Sequence, residues 1–184
     1  MRALLLLILA LTLSACGFHL RGHNVLEANF PFKSLYLRSA APTPFVADLE
    51  NSLELYQIKL TPTSAEADLT LDIVSERNDK QILALSGVGQ VLEYQLFYRV
   101  SLRAYDKQLN DWIPAVEIVL QRTLAYDVSQ VLAKEQEEAL LYRDMRSDAV
   151  QQVMRRLSRA KIKSKPSTKT APVSTPALTP TPAK

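Results

Sequence analysis

Two periods of apolar residues alternate along the chain and predict a definite order of strands and helices. Alternation of apolar and polar residues predicts four strands, over residues 33–38, 68–77, 91–105 and 115–126. Spacings of three and four residues predict two helices, over residues 44–56 and 132–159. Thr43-Pro44 supplies an N-cap and a proline for the first turn of the first helix. The predicted order is therefore β-α-β-β-β-α.

Each predicted element has one apolar side, and this limits how the elements can pack. The apolar positions in residues 91–105 are Leu92, Tyr94, Leu96, Tyr98, Val100, Leu102 and Ala104. The stripe of the second helix is Tyr142, Met145, Ala149, Val153 and Leu157. Such elements bury their apolar sides against a second layer. We expect an α+β fold with two helices on one face of a four-stranded mixed sheet, and a long connection over residues 78–90.

Strand directions follow from the connections. The first two strands are joined through a helix and are expected to be parallel. The later strands are joined by short turns and are expected to be antiparallel. Pro114 lies at the start of the last strand, where a missing N–H is tolerated.

The N-terminus carries an export and lipidation signal. Met1-Arg2 precedes an apolar run of 11 residues and then Leu13-Ser14-Ala15-Cys16. A helix needs about 20 residues to span a bilayer, so this run indicates a cleaved signal peptide. Leu-Ser-Ala-Cys is a bacterial lipobox, which predicts an N-palmitoyl and S-diacylglycerol Cys16 as the first mature residue. The alternative is an ordinary secreted protein with a chance cysteine.

Composition divides the chain into four segments. We assign 1–15 to the signal peptide, 16–31 to a lipidated leader, 32–160 to the α+β domain and 161–184 to a basic tail. The tail is rich in Pro and Thr and is expected to be disordered, since it cannot bury a core. Residues 16–158 hold 15 basic and 19 acidic side chains, a net charge of −4. This balance argues against a nucleic-acid-binding surface.

The catalytic inventory of the chain is small. His19 and His23 are the only histidines and both lie in the leader, and Cys16 is the only cysteine. Gly87 and Gly89 precede a strand and not a helix, so they do not form a phosphate loop. We expect neither an enzyme nor a metal or cofactor site.

Several short motifs resemble one lipoprotein family. Cys16-Gly17-Phe18-His19-Leu20-Arg21 resembles the mature start of the LptE (RlpB) family of lipopolysaccharide-assembly lipoproteins. Gly89-Gln90 with Glu93-Tyr94-Gln95 is similar to that family's entry into its central strand. Leu132-Ala133-Lys134 is similar to the step before its last helix. The order of elements and the polar tail agree over nearly the whole mature chain.

The resemblance implies a location and a partner. Such proteins are outer-membrane lipoproteins of Gram-negative bacteria, and Gly17 after the lipidated cysteine fits sorting to that membrane. They lie as a plug inside the β-barrel of LptD, with 1:1 stoichiometry expected, and help deliver lipopolysaccharide to the outer leaflet. The acyl chains would insert in the inner leaflet from the periplasmic side. The alternative is a periplasm-facing lipoprotein that binds a hydrophobic ligand or the cell wall.

Two groups of residues become candidates for contact with these partners. The polar face of the sheet carries Phe97, Arg99, Arg103 and Tyr105, which would meet the barrel lumen, or would simply be solvated. The strand directions place the end of the domain far from Cys16 near Arg77, Lys80 and Lys134. These cations are candidates for lipid A phosphates, the alternative being a solvated loop and helix start. The family often has a basic residue near the tip of the 78–90 connection, where this chain reads Leu85-Ser86-Gly87-Val88.

Overall fold

Five strands form one mixed sheet, and two helices cover one of its faces. The computed structural model describes residues 30–160. The elements are β1 (Ser34–Ser39), α1 (Pro44–Leu55), β2 (Lys59–Leu60), β3 (Leu69–Leu85), β4 (Val91–Tyr105), β5 (Asp111–Ala125) and α2 (Val131–Ser158). The strand order is β2-β1-β3-β4-β5. The predictions for the signal peptide 1–15, for the leader up to residue 29, including Cys16, and for the tail 161–184 lie outside the described residues.

The predicted strand directions are confirmed. β1 is parallel to β3, from Leu35 opposite Leu69 to Ser39 opposite Ile73. β3, β4 and β5 are successively antiparallel. The α+β class and the order of the predicted elements are therefore correct.

The predicted number of four strands is wrong, because β2 adds a fifth. Gln57 adopts a positive φ of 59° just after α1 and turns the chain back towards β1. Lys59 N–H then donates to Lys33 O at 3.0 Å, and Thr61 N–H donates to Leu35 O at 3.0 Å. Two residues are too short to show an alternation, so the periodicity could not reveal this edge strand.

The long connection predicted over residues 78–90 is also wrong. β3 continues to Leu85, and only a tight turn remains, in which Gly89 has a φ of 82° and its N–H donates to Ser86 O at 2.9 Å. The pairing of β3 with β4 shifts register near Val74 and near Leu83. Each bulge inserts an extra residue and moves the following side chains to the other face. The alternation of apolar and polar residues is therefore interrupted at each bulge, although β3 itself continues to Leu85.

The predicted apolar stripes form the core. Thr43 Oγ1 caps α1 by accepting from Val46 N–H at 3.3 Å. The buried residues of the two helices are Phe45, Val46, Leu49, Leu53, Met145, Ala149, Val150, Val153, Met154 and Leu157. They pack on the alternate residues of β4 from Leu96 to Ala104, which are also buried. An ion pair of 2.7 Å between Arg146 Nε and Asp48 Oδ2 joins the helices at the edge of this core.

Asp106 organises the turn between β4 and β5. Its side chain accepts from the backbone N–H groups of Gln108 and Asn110 at 2.9 Å, and from Asn110 Nδ2 at 3.0 Å and Trp112 Nε1 at 3.4 Å. Burial opposes ionisation of this carboxyl, but hydrogen bonds from Asn110, Trp112 and Gln108 outweigh it and hold its pKa below the ordinary 3.8. The turn is therefore stabilised by an ionised carboxylate.

We expect Asp106→Ala to lower the free energy of unfolding by about 2 kcal/mol at pH 7, since several donors lose a charged acceptor. Because the folded pKa is depressed, this stabilisation is present above the unfolded pKa and is lost as the pH falls through the folded pKa. Urea denaturation from pH 7 to pH 3 should show the two proteins converging. Asp144→Ala, at an exposed position of α2, is the control. A difference between wild type and Asp106→Ala that is independent of pH would contradict this account.

Candidate functional site

The uncovered face of the sheet presents the predicted barrel-facing residues together. Phe97, Arg99, Arg103 and Tyr105 occupy alternate positions of β4. Their neighbours Leu96, Tyr98, Val100, Leu102 and Ala104 are buried beneath the helices. Because successive strand residues point to opposite faces, the first set lies on the face away from the helices, which we call the outer face.

The first charge network of the outer face is centred on Asp72. Arg103 Nε lies 3.3 Å from one of its carboxylate oxygens and Arg38 Nε lies 3.7 Å from the other. Only 12% of the Asp72 side chain is exposed, and the two guanidinium groups are its ion-pair partners. The guanidinium of Arg103 also lies 4.8 Å from the ring centroid of Tyr105. Arg103 therefore contacts both a carboxylate and an aromatic ring of the outer face.

The second network runs across three strands. Arg99 Nε lies 3.2 Å from Asp79 Oδ2, and Arg99 Nη1 lies 3.8 Å from Glu117 Oε2. Arg77 Nη2 lies 3.4 Å from the other oxygen of Glu117. Arg99 is also stacked over Phe97, at 4.9 Å from the ring centroid. The result is a surface of paired charges and half-buried aromatic rings, with the exposed Val119 beside it.

Such a surface suits a polar protein partner. Its arginines are held in place by carboxylates and rings, so binding would immobilise few side chains. Arginine and aromatic residues are enriched at protein interfaces, and a mixed surface tolerates a hydrated partner. The sequence predicted the four residues of β4, and it missed Asp72, Asp79 and Glu117 as their partners on neighbouring strands.

The structure separates Arg77 from the other two predicted phosphate-binding cations, Lys80 and Lys134. Arg77 lies on the outer face opposite Arg99, eight residues before the end of β3, and not at the far end. Lys80 lies on the opposite face of the sheet, where it pairs with Glu138 of α2 at 2.5 Å and lies 4.3 Å from the Tyr94 ring centroid. The placement of all three at one rim is therefore wrong.

Lys134 is located at the far end, in the first turn of α2. Its Nζ lies 2.8 Å from Glu137 Oε2. Asp127 precedes it, and the N–H and hydroxyl of Ser129 lower the pKa of that carboxyl, with a smaller contribution from Lys134. Asp127 caps the short 3-10 helix Val128–Gln130 and not α2, whose N-cap Gln130 makes no side-chain capping bond. The local carboxylates offset the unfavourable position of a cation at a helix N-terminus.

An exposed apolar tip is the feature that the sequence reading missed. Residues 81–92 contain no charged residue. The exposed aliphatic residues of this hairpin and of the adjacent start of α2 are Ile82, Leu83, Leu85, Val88, Leu92, Val128, Val131 and Leu132. The most exposed are Val88 at 83% and Leu132 at 75%. An apolar patch of this kind indicates a contact surface. The absence of charged residues from 81 to 92 could have revealed this patch from the sequence.

Other kinds of site find little support in the described part of the chain. Within residues 30–160, no group of His, Cys, Asp and Glu side chains is arranged to hold a metal ion. No helix between these residues is long and apolar enough to cross a membrane. A cleft of about 380 Å³ lies between the ends of the helices, lined by both apolar residues such as Leu55 and Met154 and polar ones such as Arg155.

Comparisons with known proteins agree with this architecture. The LPS-assembly lipoprotein LptE of Pectobacterium atrosepticum is 28% identical over 156 residues, which cover 83% of each chain. That of Yersinia enterocolitica is also 28% identical, over 84% of this chain and 73% of its own.

Solved structures of two lipoproteins share the fold. An uncharacterized lipoprotein B from Nitrosomonas europaea superposes with a TM-score of 0.66 and 36% identity, over 77% of this chain and 90% of its own. The rare lipoprotein B of Shewanella oneidensis superposes with a TM-score of 0.62 at 22% identity, over 68% of this chain and 94% of its own. A family model described as lipopolysaccharide-assembly, LptE, matches residues 32–157. The chain therefore belongs to the LptE family.

Proposed function

We propose that this protein is an outer-membrane lipoprotein that plugs and helps assemble the LptD β-barrel and assists delivery of lipopolysaccharide to the outer leaflet. The outer face supports this proposal most directly, because it combines fixed guanidinium groups with aromatic rings. The lumen of a large barrel is polar, so a plug must offer polar groups without leaving charges unpaired. The two networks around Asp72 and Glu117 meet that requirement.

In this proposal the lipid anchor and the hairpin tip of the domain lie at different positions along the axis of the barrel. Acyl chains on Cys16 would hold the protein to the inner leaflet from the periplasmic side. The leader enters the domain at the start of β1. Because β3 runs parallel to β1, its last residues and the β3–β4 hairpin tip lie at the other end of the sheet. The tip would then point into the barrel. The role is one of binding and templating, with no catalytic step.

Lipopolysaccharide would meet the tip through two kinds of contact. Lys134, with Lys80 behind it, would contact phosphate groups of lipid A, which ammonium groups bind as charge-assisted donors. The uncharged hairpin of residues 81–92 adds no repulsion to an anionic ligand. Arg77 lies with the outer face, so the proposal assigns it to the barrel surface.

Co-purification in detergent tests the barrel partner. Phe97→Ala combined with Tyr105→Ala removes both rings and leaves the ion pairs of the outer face in place, so we expect about a tenfold loss of co-purified LptD. Leu55→Ala combined with Leu140→Ala is the matched control, since it truncates two exposed residues on the helices. Circular dichroism should show all variants folded. Equal barrel yield from both double variants would contradict the assignment of the outer face, and a wild-type chain that never co-purifies with LptD would refute the plug.

Charge reversal tests the proposed ligand contact. Lys134→Glu should weaken lipopolysaccharide binding by the purified protein roughly tenfold, because a favourable phosphate contact becomes repulsive. Lys107→Glu, in the turn at the opposite end of the sheet, should leave the affinity unchanged. Surface-immobilised lipopolysaccharide gives the readout. Unaltered affinity of Lys134→Glu would remove Lys134 from the contact.

A further inference from the structure

Three arginines at the end of α2 line an open cleft, which we call the arginine cleft. The cleft has a volume of about 390 Å³, and its other wall includes Trp112 and Pro114 at the start of β5. Arg155, Arg156 and Arg159 are exposed, and their spacings of three and four residues place them on one side of the helix. The cleft therefore combines three guanidinium groups with the one tryptophan of the chain.

No carboxylate in residues 30–160 forms an ion pair with any of these three side chains. Other arginines around α2 are paired, since Arg146 lies 2.7 Å from Asp48 and Arg122 of β5 lies 2.6 Å from Asp148. The helix dipole favours cations at a C-terminus, which accounts for the sign of the charge. It does not account for three cations together without ion-pair partners, because like charges repel. An anionic ligand would relieve this repulsion.

A row of aromatic rings borders the arginine cleft. The ring centroids of Tyr56 and Phe30 lie 5.4 Å apart, and those of Phe30 and Phe32 lie 5.7 Å apart. Phe32 continues the row to Trp112, at 6.4 Å. Tyr56, Phe30 and Trp112 are only half-buried. Because tryptophan and tyrosine rings favour the boundary between membrane and water, this row indicates a membrane surface more than a soluble anion.

The fold places the arginine cleft at the end of the sheet where the chain enters the domain. β5 starts beside the end of β4 and the start of β3, and the start of β1 pairs with the start of β3. Phe30 follows Cys16 by 14 residues. An extended chain of this length spans at most about 50 Å, so a lipid on Cys16 would keep this end of the domain close to its membrane.

We propose that the arginine cleft binds the phosphate groups of anionic phospholipids, so that this end of the domain lies against a membrane surface. Guanidinium groups bind phosphate oxygens through paired, charge-assisted hydrogen bonds. Trp112 would lie at the boundary between headgroups and acyl chains. The inference rests on the lipid anchor of the proposed function only for the choice of membrane, and it requires neither the barrel nor lipopolysaccharide.

Vesicle binding tests this proposal, with Trp112 as an intrinsic fluorescent probe because it is the only tryptophan. The full mature chain carries Cys16→Ser, so that acyl chains cannot insert. Vesicles of phosphatidylglycerol and phosphatidylcholine should bind the protein and shift the Trp112 emission to shorter wavelengths, whereas phosphatidylcholine alone should do neither. Inorganic phosphate at matched ionic strength should not displace the vesicles. Displacement would identify a site for free phosphate and overturn the membrane assignment.

Neutralising the three arginines should remove most of the binding. Each basic residue near an anionic membrane strengthens association by about fivefold, so Arg155→Gln, Arg156→Gln and Arg159→Gln together should weaken it by about a hundredfold. Replacing the same three residues by lysine keeps the charge at the helix end and should retain most of the affinity. Arg143→Gln, at another exposed arginine of α2, should leave the affinity unchanged. Circular dichroism should show that each variant is folded.

A second triple variant separates the arginine cleft from the basic tail. Lys161→Gln, Lys163→Gln and Lys165→Gln remove the same number of charges. This variant should bind more tightly than the glutamine variant of the cleft, and its Trp112 emission should still shift at saturating lipid. Unchanged affinity of the folded cleft variant, or vesicle binding that leaves the Trp112 emission unaltered, would overturn the proposal. A chain that binds no vesicles but co-purifies with LptD would overturn it and leave the proposed function intact.

Discussion

The strict division of β4 between two faces is the constraint on which the rest of the structure depends. Leu96, Tyr98, Val100, Leu102 and Ala104 are all buried on one face, and they hold both helices against the sheet. The other face receives no cover from within residues 30–160, and it must stabilise its own charges. It does so through ion pairs that cross between strands, at Asp72 and at Glu117. The core and the proposed barrel surface are thus two consequences of one alternation.

A second consequence arises because β3 and β4 extend further than β1 and the buried part of α2, which pack against them. β1 accompanies β3 for only five residue pairs, and α2 becomes buried only from Met145 onward. Beyond these points the strands continue with exposed aliphatic residues. A distal region with few buried contacts is inexpensive to rearrange. It is therefore suited to contacts that require rearrangement, whereas the end near Asp106 is tied by hydrogen bonds.

Sequence periodicity predicted the elements best where one face is fully buried. The stripe of α2 and the alternation of β4 from Leu96 to Ala104 are confirmed, because burial demands a regular spacing of apolar residues, whereas Leu92 of the predicted β4 stripe is exposed. Periodicity failed for β2, which is two residues long, and for the distal half of β3, where bulges shift the faces. For the candidate site, it grouped Phe97, Arg99, Arg103 and Tyr105 correctly, since they share one strand. It misplaced Arg77 and Lys80, because it ended the second predicted strand at residue 77, whereas β3 continues through both residues to Leu85.

The sequence by itself determined the class of fold, the core stripes, the lipidation motif and the family, because each is encoded by residues that are near one another in the chain. Only the tertiary structure decided which charges meet. Asp72 lies between Arg38 and Arg103, and Glu117 lies between Arg77 and Arg99, although the partners are far apart in sequence. Such pairings follow from strand order and register, which depend on the packing of the whole sheet. The arginine cleft has the same origin, since it forms only where the end of α2 meets the start of β5.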